Sequence, residues 1–195
     1  MPTYILISLN LAVYVYASII GSNFITIDDL VIGLYGQVNY YIIYRGWYWQ
    51  VFTAMFIHAD IVHLFGNMFF LLVFGLRAED LFSTVEYLLV YLLSGFVGNL
   101  LTLLLTVFTG VNIVSVGASG AIFGLFGACA IYVRRAIGQS ILSALMYSFF
   151  LLMISWGPNV NFLAHLGGLV AGLLIGYLFA AKRRFKVMYE YHYSS

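Results

Sequence analysis

The chain reads GASGAIFGLFGACAIYVRR over residues 117–135. A serine among small residues opens this segment, an apolar run follows, and two arginines close it. Small residues let helices approach closely inside a membrane, whereas charges are costly in its hydrocarbon core. The segment therefore predicts a membrane-spanning helix that carries a hydroxyl, that of Ser119, near one end and cations at the other.

The composition of the whole chain predicts the same environment. Of its 195 residues, 64% are hydrophobic and only 8% are charged. A soluble domain of this length could not cover so much apolar surface with polar groups. We therefore expect an all-α integral membrane protein whose surroundings are the lipid bilayer. The net charge of +1, with no basic cluster outside the C-terminal end, argues against a nucleic-acid partner.

Six apolar stretches predict membrane spans, since a helix needs roughly 20 residues, or fewer where other helices shelter it, to cross about 30 Å of hydrocarbon. They cover about 3–20, 62–77, 82–106, 118–133, 138–155 and 161–181. We interpret residues 1–195 as a single membrane domain that ends in a basic tail at 182–195. The first loop, about 21–61, is too polar for a clean span, and its aromatic run at 47–49 predicts short helices on the membrane surface.

The positive charges predict how the spans are oriented. Seven of the eight cations follow spans two, four and six: Arg77, Arg134, Arg135, Lys182, Arg183, Arg184 and Lys186. Because lysine and arginine are retained on the cytoplasmic side, we expect both termini to be cytoplasmic and these three spans to run inward. The eighth cation, Arg45, lies on the outer side in this topology.

Three polar residues fall at one depth in this topology. Ser119, His165 and His63 lie 15, 17 and 14 residues before the first cation at the inner end of their spans. At about 1.5 Å per residue these separations are roughly 22, 26 and 21 Å. All three side chains are therefore expected in one layer, about 4–9 Å below the outer edge of the hydrocarbon.

Ser119 has the features of a nucleophile at the start of a helix. Its backbone N–H lacks an intrahelical partner and lies at the positive end of the helix dipole, where it can stabilise an oxyanion. Gly117 and Gly120 allow the backbone to approach a substrate closely. The alternative is that this tetrapeptide only packs helices together, as small residues commonly do in membranes.

His165 is the matching candidate base. An ionisable residue within a span is costly and usually functional. Gly168, Gly172 and Gly176 recur every fourth residue after it and predict close packing against another helix. If that helix is span four, a buried and neutral imidazole can take the proton of Ser119. The alternative is a histidine that only hydrogen-bonds neighbouring helices.

A second polar pair lies in span two. His63 and Asn67 are four residues apart, hence on one helix face, and both can donate hydrogen bonds to an oxyanion. The spacing fits equally well a polar pair that only hydrogen-bonds neighbouring helices together. His58 and Asp60 beside His63 suggest a metal, but no further ligand has a convincing spacing, so we expect no metal and no cofactor. The predicted spans carry no aspartate or glutamate near the layer of Ser119 and His165 that could complete a catalytic triad. A serine–histidine dyad therefore remains.

These residues resemble the rhomboid intramembrane serine proteases over about Trp47 to Tyr177. The likeness rests on three motifs, His63-x-x-x-Asn67, Gly117-Ala118-Ser119-Gly120 and Ala164-His165-x-x-Gly168-x-x-x-Gly172. It implies a six-helix core in which Ser119 is the nucleophile and His165 the general base. It also implies an oxyanion hole formed by His63, Asn67 and the Ser119 amide.

Three further positions are interpreted through the resemblance. Trp49-Gln50 stands where rhomboids often carry Trp-Arg, which removes a cation and its planar fork from the first loop. Phe123 stands where bacterial members commonly have a tyrosine that stacks on the histidine, so stacking is retained without the phenol. Glu79 resembles the acidic residue that follows span two and is expected to be structural.

The resemblance implies hydrolysis of a peptide bond in or near a transmembrane segment of a membrane protein, at a site open to the outer side. Residues 155–159 would form a movable cap above Ser119. Two alternatives remain. One is a rhomboid-like binder of transmembrane helices that does not cut them. The other is a small transporter, which the lack of a detectable inverted repeat and of a buried carboxylate disfavours.

Overall fold

The computed structural model describes residues 1–136, 140–154 and 160–193. The regular elements of this part are helices and one pair of two-residue strands. In chain order they are α1 (Pro2–Ile20), α2 (Asp29–Tyr35), β1 (Gln37–Val38), α3 (Asn39–Arg45), α4 (Gln50–Thr53), α5 (Ile61–Leu81), α6 (Thr84–Thr109), β2 (Val114–Ser115), α7 (Ser119–Ala136), α8 (Ile141–Ile154) and α9 (Phe162–Tyr193). The strand pair has no counterpart in the sequence prediction.

Four of the described helices are long and apolar enough to cross a membrane. They are α1, α5, α6 and the Phe162–Arg183 part of α9. Large apolar side chains such as Ile5, Phe69 and Leu178 stand exposed on their outer faces, which suits contact with lipid chains. The helices α7 and α8 are shorter, with 18 and 14 residues.

Several helices extend beyond the predicted spans. The helix α5 continues to Leu81, α6 to Thr109 and α9 to Tyr193, so the segment predicted as a basic tail begins as a continuation of α9. Apolarity alone marks the membrane-buried part of a helix. Lysine, arginine and glutamate are good helix formers, and no glycine or proline follows Gly176 to stop α9.

The helices α7 and α9 form the centre of the fold through backbone contact. Three glycines of α9 are so close to α7 that a Cβ atom on any of them would overlap a carbonyl oxygen of that helix. The pairs are Gly168 with Gly120, Gly172 with Gly124, and Gly176 with Ala128. This contact fixes the axial position of α9 against α7 and hence that of the side chains at their ends.

One end of the helix bundle is clamped by Arg183. Its guanidinium donates hydrogen bonds of 2.8 Å to the Leu81 carbonyl and 2.7 Å to the Tyr132 hydroxyl, and it pairs with Glu86 at 2.8 Å. Four helices, α5, α6, α7 and α9, are thereby joined at this end. Near the same end the Glu79 carboxylate accepts a hydrogen bond of 2.8 Å from the Thr3 N–H and ties α1 to α5.

The first loop is anchored by the buried side chain of Gln50. Its Oε1 accepts a hydrogen bond of 3.0 Å from the Val38 N–H, and its Nε2 donates one of 2.7 Å to the Gly33 carbonyl. Gln50 is fully buried, so a neutral amide holds the loop at the position where rhomboids often carry arginine. An amide satisfies both a donor and an acceptor, which a guanidinium cannot do.

Further amides join the first loop to α6 and to β2. The Gln37 Nε2 donates a hydrogen bond of 2.9 Å to the Asn99 carbonyl, and the Asn39 Nδ2 donates one of 3.1 Å to the Thr102 carbonyl. The strand β1 pairs antiparallel with β2, with Gln37 opposite Ser115. Because β2 lies four residues before Ser119, the first loop supports the start of α7.

Candidate active site

Ser119 and His165 meet at the end of the α7–α9 contact. Ser119 is the first residue of α7, and His165 lies in the first turn of α9. The His165 Nε2 is 2.8 Å from the Ser119 Oγ, within hydrogen-bond distance, and the imidazole is only 8% exposed. A hydroxyl and an imidazole in this arrangement can exchange a proton.

The imidazole of His165 lies against the ring of Phe123. The two rings stack with centroids 4.5 Å apart and planes 21° from parallel. Phe123 is one turn along α7 from Ser119, so a single helix carries both the hydroxyl and the surface that limits tilting of the imidazole.

Gly117 makes the turn that presents Ser119. Its φ is +113°, a conformation that residues with a side chain rarely adopt, and its N–H donates a hydrogen bond of 2.9 Å to the Ala54 carbonyl. A Cβ atom here would also lie 2.8 Å from two atoms of the His63 ring. Backbone conformation and the neighbouring imidazole therefore both require glycine.

His63 and Asn67 bring the first two turns of α5 to the same place. The Asn67 Nδ2 donates a hydrogen bond of 2.9 Å to the His63 carbonyl, which holds the amide against its own helix. The helix starts at Asp60, whose Oδ1 accepts a hydrogen bond of 2.7 Å from the His63 N–H. This cap fixes the turn on which His63 lies.

Six of the candidate site residues line one cavity of about 530 Å³. Ser119, His165, His63, Asn67 and Gly117 all face it. Its other walls are mainly apolar and come from α5, α7 and α8; they include Phe70, Phe74, Ile122, Phe123 and Leu151. Gly120, Gly168 and Gly172 lie outside this lining and belong to the α7–α9 contact.

Asn161, just before α9, joins three elements around the cavity. Its Nδ2 donates hydrogen bonds of 2.8 Å to the Ser115 hydroxyl and 3.0 Å to the Thr102 hydroxyl. Its Oδ1 accepts one of 3.2 Å from the Ala164 N–H in the first turn of α9. The turn that carries His165 is thus tied to β2 and to α6.

His58 lies behind His63, outside the apolar helices. The two rings meet edge to face with centroids 5.2 Å apart, and His58 is 1% exposed. Burial and the neighbouring His63 lower the pKa of His58 to about 3. His58 is therefore uncharged near neutral pH and adds no positive charge beside the cavity.

The family of the chain is shown by comparison with known proteins. The family model of the Rhomboid domain matches residues 45–182, well over half of the chain. The chain belongs to the rhomboid family. Together with the four long apolar helices, this membership makes it a multi-pass membrane protein.

Curated relatives carry rhomboid names, and some are named as proteases. This rhomboid is 39% identical to RHOMBOID-like protein 6, mitochondrial, of Arabidopsis thaliana over 67% of its own length and 43% of that protein. It is 35% identical to the putative rhomboid protease YdcA of Bacillus subtilis (strain 168), over 71% of each chain. It is 36% identical to Rhomboid-like protease 3 of Toxoplasma gondii over 65% of its length and 50% of that protein. The Arabidopsis and Toxoplasma alignments thus span about half, or less, of those relatives.

Sequence reasoning named the rhomboid residues that the cavity brings together but missed others beside them. Gln37, Asn39 and Asn161 were not singled out, although the position of Asn161, four residues before His165, is one at which asparagine commonly caps a helix. The proposed cap at 155–159 lies outside the described residues. Within the described part, no group of three or more His, Cys, Asp or Glu side chains could hold a metal ion.

Proposed function

We propose that this rhomboid is an intramembrane serine endopeptidase in which Ser119 and His165 form a catalytic dyad. The observation that carries the proposal is the 2.8 Å contact between the hydroxyl and the imidazole, in a cavity also lined by hydrogen-bond donors. Relatives named as proteases support the same reaction class.

The reaction is acyl transfer to serine followed by hydrolysis. The Ser119 Oγ attacks the peptide carbonyl carbon while the His165 Nε2 takes the hydroxyl proton. The C–N bond then breaks, the leaving amine receives that proton, and an ester of Ser119 remains. A water molecule attacks this ester, His165 takes its proton, and the acid product departs as the proton returns to Ser119.

The negative charge on the carbonyl oxygen is stabilised by donors on two helices. The Ser119 N–H opens α7 and is free of intrahelical bonding. His63 and the Asn67 Nδ2 reach the cavity from α5. Donors that are fixed before the reaction stabilise charge most effectively where water is scarce. Gly117 lines the cavity beside the nucleophile, where the lack of a side chain lets a peptide approach.

Packing positions the base of the proposed dyad. Stacking on Phe123 orients the imidazole, and the glycine contact with Gly168 and Gly172 sets the position of α9. The role that a buried aspartate has in a triad, holding the base in place, is performed by packing in this proposal.

Substrates are transmembrane or juxtamembrane segments that enter from the bilayer. We propose six membrane spans, with both termini cytoplasmic and a first loop lying partly on the membrane surface. The dyad lies at the end of the bundle opposite the Arg183 clamp, which supports an active site that opens to the outer side. Water for the second step enters from there, and no cofactor or metal takes part.

Replacement of Ser119 tests the proposal directly. Ser119→Ala in detergent micelles should lose cleavage of a single-span protein substrate by about 10³-fold or more and should no longer react with a fluorophosphonate probe. Ser94→Ala is the control, because Ser94 is a buried serine outside the cavity. Cleavage by Ser119→Ala at the parent rate would refute the dyad. A protein that binds such segments but neither cleaves them nor reacts with the probe would be a helix binder instead.

A further inference from the structure

The catalytic cavity contains one charged group that the proposed reaction does not use. Among the described residues that line it, Asp60 is the only acidic one, and no lysine or arginine is present. Arg45, the cation of the first loop, instead stacks on the rings of Tyr41 and Trp47. The cavity therefore has a negative charge that no cation lining it balances.

Part of the Asp60 carboxylate is available to a ligand. Its Oδ1 accepts the His63 N–H, whereas its Oδ2 has neither a hydrogen bond nor an ion pair within the described part of the chain. Asp60 is half-buried, so this oxygen is near water and also near the cavity. A carboxylate can accept about four hydrogen bonds, which leaves capacity for a donor.

The position of Asp60 places it near the bond to be cut. It lies three residues before His63, about 4.5 Å farther along the axis of α5 toward the outer side. An extended peptide advances about 3.3 Å per residue. A side chain within about three residues of the cut bond can therefore reach the carboxylate.

We propose that Asp60 forms a subsite for a positively charged substrate side chain close to the cleaved bond. Lysine and arginine fit best, because their apolar stems suit walls such as Phe70 while the cation reaches the rim. This inference rests on the proposed function for its reaction, but it concerns recognition and can be tested through binding alone.

The test uses single-span reporter substrates in which one residue near the mapped cut is Lys, Gln or Glu, moved one position at a time. At low salt the parent protein should cleave one Lys substrate about threefold to fivefold faster than its Gln match, and Glu should be slowest. Asp60→Asn should abolish this ratio, since the amide oxygen still caps α5 but the charge is gone. Asp28→Asn, which neutralises an exposed helix cap that does not line the cavity, should keep this ratio.

A second measurement separates recognition from hydrolysis. Binding of the same peptides to Ser119→Ala should show the Lys preference, and Ser119→Ala/Asp60→Asn should lose it. Three results would overturn the inference. The parent protein could cleave and bind Lys and Gln substrates equally at every position, Asp60→Asn could keep the Lys preference, or Asp28→Asn could lose it to the same extent. A binding preference in a protein that never cleaves would uphold the subsite and overturn the proposed hydrolysis.

Discussion

Phe123 holds the candidate base by stacking rather than by a hydrogen bond. An aromatic contact of this kind contributes about 0.5–1.5 kcal/mol. Phe123→Leu should therefore lower kcat roughly threefold to tenfold, with little change in KM, because the imidazole can tilt away from Ser119. Phe123→Tyr should keep most of the activity. Steady-state cleavage in micelles measures both constants. Phe126→Leu, on the same helix but outside the cavity, is the control, and an equal loss there would argue for a general packing effect.

Gln50 is the second residue whose chemistry can be isolated. Gln50→Ala removes one buried and one partly buried hydrogen bond and leaves the Val38 N–H without a partner, so the free energy of unfolding should fall by about 2 kcal/mol. Gln50→Arg should also destabilise, even though rhomboids often carry arginine at this position, because a guanidinium has no acceptor for that N–H. Thermal unfolding in detergent compares the stability of both variants with that of the parent protein. A Gln50→Arg protein as stable as the parent would show that the amide acceptor is dispensable.

At the level of elements, α7 and α9 hold the site together through their glycines. Gly172→Ala should destabilise the protein and lower activity, since the added methyl group would overlap the Gly124 carbonyl and push α9 away from Ser119. Gly66→Ala is the matched control for stability: it is also in a helix, but its Cβ would meet nothing within 4 Å. The free energy of unfolding of Gly66→Ala should rise by up to about 1 kcal/mol, because alanine has a higher helix propensity than glycine. Unfolding of both variants is measured in the same detergent. Similar changes in the free energy of unfolding would contradict the packing argument.

The elements that sequence reasoning located are those with a local signal. Long apolar stretches marked the helices. The common membrane depth of Ser119, His165 and His63, derived from the cations of their spans, stays a prediction. The strand pair of Gln37 with Ser115 and the contacts of Asn161 carry no such signal, because they join residues far apart in the chain. Polar residues in loops look alike in sequence whether they face water or become buried.

For the whole molecule, the buried histidine His58 predicts how stability depends on pH. Its pKa is lowered from 6.5 to about 3 by burial and by His63, so below pH 6.5 the unfolded chain binds a proton that the folded protein does not. Stability from this group is complete above about pH 6.5 and falls toward pH 3, by up to about 1.4 kcal/mol per pH unit. His58→Gln should show a shallower fall between pH 6.5 and 4 in unfolding experiments. If the slope of stability against pH is unchanged in His58→Gln, His58 is not the cause of this pH dependence.

The close contact between α7 and α9 also governs when the site comes into being. Ser119 precedes His165 by 46 residues, and a ribosome releases the earlier helix to the membrane first. During that interval Ser119 lacks the His165 imidazole, and the glycines of α7 that pack on α9 face no counterpart. A nascent chain in the translocation machinery, surrounded by other transmembrane segments, thus has its proposed nucleophile and base out of contact. Arrival of α9 supplies both the proposed base and the packing that holds it, so under the proposed function biogenesis itself delays the onset of cleavage.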